Sequence, residues 1–300
     1  MMQCTRGLKR IPPLLLLGVL ASGASPRKPA PAIDCGTRIE GMERLLQPGA
    51  LVLLGELHGT KEIPRLMGDL VCQAAGRGVG VSVLLELSAE NDPSFEAWLS
   101  SAGQEQDRQR LFSTREWRSP YPDGRTSVAM FEMLDRLRVF RRLGWRVRVF
   151  GASVDPRHES RDESMALGVR RVREEAPQDL ILVLAGNNHT RVDVRESMGG
   201  HLRTWGLTMT SLNVTASRGT LWTCRGPTCG EESVELNVPD GKPRLDLTPK
   251  ALHAKANDGV LSWEHPAFHG SLFIGRITAS PPAGTRADPG TPARGSEATR

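Results

Sequence analysis

The stretch that most constrains this chain is residues 51–62, LVLLGELHGTKE. Its first four residues are apolar and predict a short buried strand that breaks at Gly55. Glu56 and His58 follow in a turn, and from residue 61 to 76 apolar side chains recur at helical spacing. In open α/β sheets, functional sites lie outside the carboxyl ends of the strands. A carboxylate and an imidazole at such an end therefore indicate chemistry.

Three further apolar runs repeat this pattern. Residues 81–85, 145–150 and 180–184 predict buried strands, and helices are expected at 127–143 and after residue 160. Strands that alternate with helices predict an α/β fold with a mainly parallel central sheet flanked by helices.

The chain between and beyond these units has a different character. Residues 88–126 are polar with scattered aromatic side chains, and they predict a helical insert of two or three short helices over the carboxyl edge of the strands. After the fourth strand, short strands are expected at 207–213 and 219–223, followed by a loop-rich stretch over 225–259. A last strand at 271–277 is expected to close the sheet.

The two ends of the sequence differ from the middle in composition. A basic start and the apolar run Leu14–Leu20, followed by small residues, predict a secretory signal peptide over residues 1–24. A Pro-rich leader at 25–36 and a disordered tail at 283–300 then enclose one domain at 37–282. We therefore expect an exported protein, either periplasmic or secreted.

The charge of the chain does not favour nucleic acid as a partner. The sequence has 39 Lys and Arg against 34 Asp and Glu. Three of the basic residues, Arg6, Lys9 and Arg10, lie in the signal peptide, so the rest of the chain has a net charge of only about +2. No segment after the signal peptide has the apolar length of a transmembrane helix.

Four cysteines follow the signal peptide, and an even number in an exported protein predicts disulfides. Three pairings are possible. Gly226 and Pro227 favour a turn between Cys224 and Cys229, so we expect these two to pair, and hence Cys35 to pair with Cys72. A metal site at Cys224 and Cys229 is disfavoured because no second Cys or His pair lies at a suitable spacing.

Titratable side chains follow three of the four predicted strands. Glu56 and His58 follow the first, Glu86 the second and His189 the fourth. Because the carboxyl ends of parallel strands meet at one edge, we expect these side chains to converge on a cleft. Arg161, further along from the third strand, is the fifth candidate.

The position of Arg161 in a helix makes it informative. It lies in the first turn of the helix after residue 160, where a cation opposes the helix dipole, so we expect it to have a specific anionic partner. Asp162 beside it is interpreted as ordinary helix-dipole chemistry, and His158 as a bystander.

Two imidazoles and two carboxylates around a cleft suit three chemistries. In hydrolysis, His58 or His189 takes a proton from water while a Glu supports it and Arg161 stabilises the oxyanion. A divalent metal site would use Glu56, His58, Glu86 and His189 as ligands. In haem binding, His58 or His189 would be the axial ligand. A Ser nucleophile is disfavoured because the sequence has no G-x-S-x-G.

The order of these motifs resembles a known superfamily. Residues 55–62, GELHGTKE, resemble the G-E-x-x-H-G-T-x-E turn of the erythromycin-esterase family, with one residue rather than two between Glu56 and His58. The wider Tiki superfamily includes ChaN-type haem-binding uptake proteins, whose turn is G-E-x-H, as here. Further shared marks are the second-strand Glu86, the R-D-x-x-M-A run at 161–166, the G-x-x-H at 186–189 and the closing FIGRITASPPA.

This resemblance covers residues 45–282 and implies an α/β domain with a helical insert and a cleft at the strand ends. The superfamily includes esterases, metal-dependent proteases and haem binders. We expect hydrolase chemistry on a small-molecule or peptide substrate, with His58 as general base or metal ligand, oriented by Glu86. The alternatives are haem binding for uptake and a non-catalytic interaction module. The sequence has a single tyrosine, Tyr121, so a tyrosine axial ligand has little room, which disfavours haem binding.

Overall fold

A computed structural model describes residues 33–284 except for 156, 237, 250–253, 257–258 and 262–265. The predicted signal peptide, most of the leader and nearly all of the predicted tail lie outside the described residues. Every element below belongs to the unit Cys35–Arg300. No helix among the described residues is long and apolar enough to cross a membrane.

The elements confirm the predicted α/β class. The helices are α1 (Glu62–Ala75), α2 (Asp92–Ser100), α3 (Glu105–Phe112), α4 (Val128–Arg142), α5 (Arg161–Glu175), α6 (Asn187–Thr190) and α7 (Met198–Thr204). The strands are β1 (Leu51–Glu56), β2 (Val81–Ser88), β3 (Val147–Ser153), β4 (Leu180–Gly186), β5 (Thr210–Thr215), β6 (Arg218–Arg225), β7 (Thr228–Glu235), β8 (Arg244–Asp246), β9 (Ala254–Ala256), β10 (Gly259–Leu261) and β11 (Gly270–Phe273).

Seven strands form the central sheet in the order β3-β2-β4-β1-β5-β11-β8. All neighbours are parallel except β11 and β8, which are antiparallel. The sheet is therefore mainly parallel, as predicted. The prediction that the last strand closes the sheet is wrong, because β11 lies inside it and the short β8 forms the edge.

The core lies on both faces of this sheet. Alternate residues of a strand point to opposite faces, so Val52 and Leu54 join the cluster under α1 and α4, whereas Leu51 and Leu53 join the cluster under α5 and α7. Both faces of β1 are buried along its whole length. This burial explains why the strand appears in the sequence as an unbroken apolar run.

The segment after β2 contains the predicted helical insert. A 3-10 turn at Ala89–Asn91 leads into α2 and α3. The insert packs through its aromatic side chains, with Phe112 stacked on Trp117 and edge-on to Phe131 of α4. It therefore adjoins the carboxyl end of β2.

The stretch predicted to be loop-rich, 225–259, contains more structure than expected. Strand β7 pairs with β6 along its whole length as an antiparallel hairpin, and β9 pairs with β10. The prediction failed because β7 carries Gly and three Glu residues and lacks the apolar alternation of a half-buried strand.

Both predicted disulfides are present. Cys224–Cys229 crosses the tip of the β6–β7 hairpin, and Cys35–Cys72 ties the segment before the sheet to α1. These bonds favour an oxidising compartment.

Candidate functional site

Three neighbouring strands, β2, β4 and β1, bring their carboxyl ends together at the candidate site. Glu56 is the last residue of β1, and Glu86 lies within β2. The prediction that the first strand breaks at Gly55 is wrong, because Gly55 and Glu56 continue the parallel pairing with Ala185 and Gly186. Both carboxylates are therefore fixed by the sheet.

Gly55 has a packing role in the site. A Cβ atom at this position would overlap the Oγ1 atom of Thr190 and lie 3.0 Å from the Cα atom of Asn187. Both neighbours belong to α6, the single helical turn that carries His189. The absence of a side chain at Gly55 therefore lets this turn lie directly on the end of β1.

Gly151 has a similar role on the other side. Strand β2 shifts its register against β3 between Leu85 and Ser88. A Cβ atom on Gly151 would overlap the carbonyl group of Ser88, and the Gly151 N–H donates to Asp92 at 2.7 Å. Irregularities of this kind re-aim side chains near functional sites, and this one flanks Glu86.

Glu86 is the centre of the site and is only 4% exposed. Its Oε2 atom accepts a hydrogen bond from the Gly186 N–H at 2.6 Å and lies 3.1 Å from His58 Nε2. On the other side, its Oε1 atom lies 2.9 Å from an Arg161 guanidinium nitrogen and 3.5 Å from His189 Nε2. One carboxylate therefore joins both imidazoles and a guanidinium group.

These partners determine the charge of Glu86. Burial acts to raise the pKa of its carboxyl, but hydrogen bonds from His189 and His58 and their positive charges outweigh burial and hold the pKa far below its usual range. Glu86 is therefore ionised at neutral pH and acts as a fixed negative charge between the imidazoles.

His58 lies between two carboxylates. Its Nδ1 atom is 3.0 Å from Glu56 Oε1, and its Nε2 atom faces Glu86. Burial acts to lower the pKa of His58, but the charge of Glu56 and the hydrogen bonds to Glu56 and Glu86 raise it to about 10. Since both ring nitrogens face acceptors, this histidine holds its proton at neutral pH.

His189 is held from one side by an aspartate. Its Nδ1 atom lies 2.8 Å from Asp162 Oδ1, whereas its Nε2 atom is a longer 3.5 Å from Glu86. Burial acts to lower the pKa of His189, but hydrogen bonds to Asp162 and Glu86 raise it to about 9. Its Nε2 atom is therefore the more weakly engaged ring nitrogen of the pair.

Arg161 has the anionic partner expected for a cation in the first turn of a helix, namely Glu86. Its guanidinium group also donates to the backbone carbonyl of Glu86 at 3.4 Å. The Arg161 side chain remains 44% exposed, so it can contact both Glu86 and a bound molecule.

Two charged residues of the site were missed in the sequence. Asp162 was interpreted as helix-dipole chemistry, yet it binds His189 and accepts the Met198 N–H at 2.7 Å. Arg125 lies 3.5 Å from Glu86 and is anchored by Asp123, two residues before it. The only sequence signal for Asp162 was its place beside Arg161 in the R-D-x-x-M-A run.

The turn that carries His58 is covered by the β6–β7 hairpin. The Trp222 N–H donates to the carbonyl of Gly59 at 2.9 Å, and the Trp222 indole N–H donates to the carbonyl of Pro122 at 3.0 Å. Gly59 has a φ of +75° and lies directly against the Trp222 backbone. The hairpin thus fixes the backbone one residue beyond His58.

The predicted metal and haem ligands do not fit those groups as they are arranged. Among the residues that the structure describes, no cluster of three or more His, Cys, Asp or Glu side chains could hold a metal ion. Both nitrogens of His58 face carboxylates, and the Arg161 guanidinium group already contacts the Oε1 atom of Glu86. An axial haem ligand needs an imidazole nitrogen free to bind iron. Both nitrogens of His58 and the Nδ1 atom of His189 lie within 3.1 Å of carboxylates, which leaves only His189 Nε2, 3.5 Å from Glu86, as a weakly engaged nitrogen.

Comparison with known proteins supports the fold. No family model matches the sequence, and no curated protein matches it significantly. A succinoglycan biosynthesis protein aligns with a TM-score of 0.56 and 12% identity over 80% of this chain and 91% of that chain. A histidine-to-asparagine mutant of the erythromycin esterase EreC, in its open conformation, aligns with a TM-score of 0.55 and 13% identity over 79% of this chain and 93% of that chain.

Haem-bound ChaN of Campylobacter jejuni aligns over only 58% of this chain and 84% of that chain, with 11% identity and a TM-score of 0.36, which carries no argument about haem. The two closer likenesses show a shared fold. The predicted resemblance to erythromycin esterase is thereby confirmed at the level of the fold.

Proposed function

We propose that the protein is a hydrolase that uses His58 and His189 as an acid–base pair and Arg161 to stabilise an oxyanion. The observation that carries this proposal is the single buried carboxylate of Glu86, which contacts all three groups. Two imidazoles held at one carboxylate, with a half-exposed guanidinium beside them, form an arrangement suited to proton transfer next to a developing negative charge.

The two imidazoles differ in how firmly they hold a proton. His58 faces carboxylates at 3.0 Å and 3.1 Å, whereas the Nε2 atom of His189 has only a 3.5 Å contact. We therefore assign the general base to His189 and the general acid to His58, which reverses the emphasis of the sequence prediction. Asp162 orients the His189 ring so that Nε2 faces the cleft.

The proposed reaction is attack of water on a carbonyl carbon. Above its raised pKa of about 9, where His189 is neutral, its Nε2 atom takes one proton from the water as the new C–O bond forms, and Arg161 faces the oxyanion. The bond to the leaving group then breaks, the Nε2–H group of His58 turns from Glu86 and donates its proton to the leaving oxygen, and acid and alcohol are released. Solvent then returns the proton from His189 to His58. Each cysteine of the described chain lies in a disulfide, so a cysteine nucleophile is not invoked.

An ester is the substrate class to test first, because one of the proteins that share the fold is an esterase. Peptides are the second class. The test measures release of p-nitrophenol from p-nitrophenyl esters between pH 6 and 10.5, with the wild type, His58→Gln and His189→Gln. The matched control is His201→Gln, since His201 packs on Trp205 in α7.

Loss of either imidazole is expected to lower kcat by about 100-fold or more, whereas His201→Gln retains the wild-type rate. Hydrolysis that is unchanged in both site variants would refute the assignment. A wild type that hydrolyses neither esters nor peptides would favour the non-catalytic interaction module.

Haem binding for uptake is tested in parallel by titrating haemin into the wild type. Because three of the four imidazole nitrogens lie within 3.1 Å of carboxylates and the fourth, His189 Nε2, lies beside Glu86 at 3.5 Å, we expect no saturable Soret shift that depends on His58 or His189. A shift of fixed stoichiometry that is lost in either variant would favour the haem alternative over the hydrolase.

We also propose that the protein is exported. The two disulfides support this proposal, since such bonds persist in oxidising compartments. Expression of the whole chain with fractionation and N-terminal sequencing tests it. Recovery of the uncut chain from the cytosol alone would contradict both export and the predicted signal peptide.

A further inference from the structure

A cavity of about 290 Å³ lies beside Glu86, at the end of β2. Its walls come from the last residue of β2, from the 3-10 turn that follows and from the loop after α3. The lining residues are Ser88, Glu90, Asn91, Thr114, Arg115 and Glu116. Since Ser88 is only two residues beyond Glu86 on the same strand, the cavity adjoins the catalytic network.

Two buried polar atoms in this lining lack a hydrogen-bond partner among the described residues. They are Asn91 Oδ1 and Thr114 Oγ1. Asn91 is only 3% exposed. A buried acceptor without a hydrogen-bond partner destabilises the fold, and such atoms are rare in folded proteins. Two such atoms in residues of one lining leave unused hydrogen-bonding capacity beside the cavity.

The orientation of the Asn91 amide is fixed by its neighbours. Its nitrogen donates to the carbonyl of Ser88 at 3.0 Å and to the carboxylate of Glu116. Both of these partners are acceptors, so the amide nitrogen must face them. The unpaired atom of Asn91 is therefore its carbonyl oxygen, which can only accept a hydrogen bond.

The other lining groups are also mostly acceptors. Glu116 accepts the Ser88 N–H at 2.9 Å and retains capacity for further bonds. Glu90 adds a second carboxylate. Arg115 is the cation of the lining, and its exposed position places it at the rim. A lining of this composition selects a ligand group that donates hydrogen bonds.

The cavity is electrostatically connected to the catalytic groups. The charges of Arg125 and Arg161 act on Glu116, and both arginines contact Glu86. The arginines that hold Glu86 therefore also act on the lining of the cavity.

We propose that this cavity is a substrate-recognition subsite that binds a hydrogen-bond-donating group, an ammonium or a hydroxyl, through Asn91 Oδ1, Thr114 Oγ1 and the neighbouring carboxylates. Its role as a substrate subsite rests on the proposed hydrolase function. The binding chemistry itself does not require hydrolysis and can be tested without it.

The test uses three free acids of similar length, 6-aminohexanoate, 6-hydroxyhexanoate and hexanoate, titrated into the full chain by calorimetry. Thr114→Val replaces the unpaired hydroxyl with a methyl group of the same shape, so the fold loses no side-chain hydrogen bond shown by the structure. Thr208→Val, at an exposed threonine, is the matched control. Glu90→Gln distinguishes the two donor groups, because removal of its charge weakens the ammonium more than the hydroxyl.

We expect one or both donor-bearing acids to bind the wild type about tenfold more tightly than hexanoate, and Thr114→Val to remove most of that difference without changing hexanoate binding. Thr208→Val should bind as the wild type does. Equal binding of all three acids would indicate contact through Arg115 alone and would overturn the proposal. Absence of binding, or an unchanged difference in Thr114→Val, would overturn it as well.

The same substitution also has a kinetic readout on p-nitrophenyl 6-aminohexanoate and p-nitrophenyl heptanoate. Thr114→Val should raise KM for the aminohexanoate ester and leave kcat for the heptanoate ester unchanged. If the wild type hydrolyses neither esters nor peptides yet binds the donor-bearing acids selectively, the hydrolase proposal fails and the binding site stands. If the wild type hydrolyses both esters with the same KM, the hydrolase proposal stands and the subsite proposal fails.

Discussion

His189 and Asp162, 27 residues apart in the sequence, meet at 2.8 Å between Nδ1 and Oδ1. An ionised aspartate only accepts hydrogen bonds, so the His189 Nδ1–H is the donor. The same Asp162 oxygen accepts the N–H of Met198 at the start of α7. The contact therefore fixes the His189 ring and leaves Nε2 as the nitrogen that faces Glu86.

Asp162→Asn is expected to lower kcat for ester hydrolysis by about 100-fold or more, since the ring loses both its orientation and the charge that favours its imidazolium form. The pKa of His189 should fall from about 9 towards its ordinary value, because its hydrogen bond to the carboxylate is among the causes that raise it. NMR titration of the His189 ring measures this shift directly.

The control for this substitution is Glu163→Gln, which removes a negative charge from the next position of α5. It should leave both kcat and the His189 titration unchanged. A His189 pKa that stays near 9 in Asp162→Asn would show that Asp162 does not hold the imidazolium.

Stability is expected to decrease as the pH rises from about 6.5 to 10. The folded-state pKa values of His58 and His189 are raised to about 10 and about 9. Groups with a raised folded-state pKa contribute stability that is fully present below the unfolded value of about 6.5 and is lost as the pH passes the folded value. Calorimetric Tm measured from pH 6 to 10.5 should therefore fall across this range.

His58→Gln provides the comparison for that pH series. The variant lacks the group whose pKa is raised furthest, so its Tm should depend less steeply on pH above 7 than that of the wild type. Parallel curves for the two proteins would contradict the raised pKa of His58. His201→Gln, away from the network, should follow the wild type.

Glu86→Gln is expected to destabilise the fold by about 3–5 kcal/mol, the usual cost of removing one partner from a buried charged cluster. The substitution leaves His58, His189 and Arg161 facing a neutral amide at a buried position. Urea denaturation measures the change in the free energy of unfolding. Glu132→Gln, on the exposed side of α4, should change it by less than about 0.5 kcal/mol.

The sequence predicted the strands and helices correctly where the local pattern of apolar residues determines them. The apolar runs at 51–54, 81–85 and 180–184 lie within β1, β2 and β4, and the helical pattern after residue 60 corresponds to α1. Parallel pairing then brings the residues at the strand ends to one edge, which is why Glu56 and Glu86, which both contact His58, could be predicted to lie at one site.

What the sequence could not supply depends on distant contacts. Asp162 looks like any acidic residue in a first helical turn, and its pairing with His189 follows only from the packing of α5 beside α6 and α7. Gly55 looks like a strand breaker, yet its pairing with β4 and β5 keeps it within β1. In both cases tertiary contacts override the local preference.

Arg161→Gln is expected to lower kcat by about 100-fold with a smaller effect on KM, because a donor aimed at an oxyanion acts mainly in the transition state. The side chain is half-exposed and its loss removes only one of the contacts to Glu86, so the fold should persist. Steady-state kinetics on p-nitrophenyl esters measure the effect. Arg170→Gln, on the same helix but stacked over Trp205, should retain the wild-type kcat, and an equal loss in both variants would point to α5 stability rather than to chemistry.

Gly55→Ala tests whether the site depends on the close contact between β1 and α6. The added methyl group would overlap Thr190 Oγ1, so α6 must move and carry His189 away from Glu86. We expect a loss of about 1–3 kcal/mol in stability together with a fall of more than about tenfold in kcat. Gly230→Ala is the matched control, because a Cβ atom there meets nothing within 4 Å. Urea denaturation measures the free energy of unfolding of both variants, and ester kinetics measure their kcat. Gly55→Ala with wild-type stability and kcat would show that His189 is not positioned by this contact.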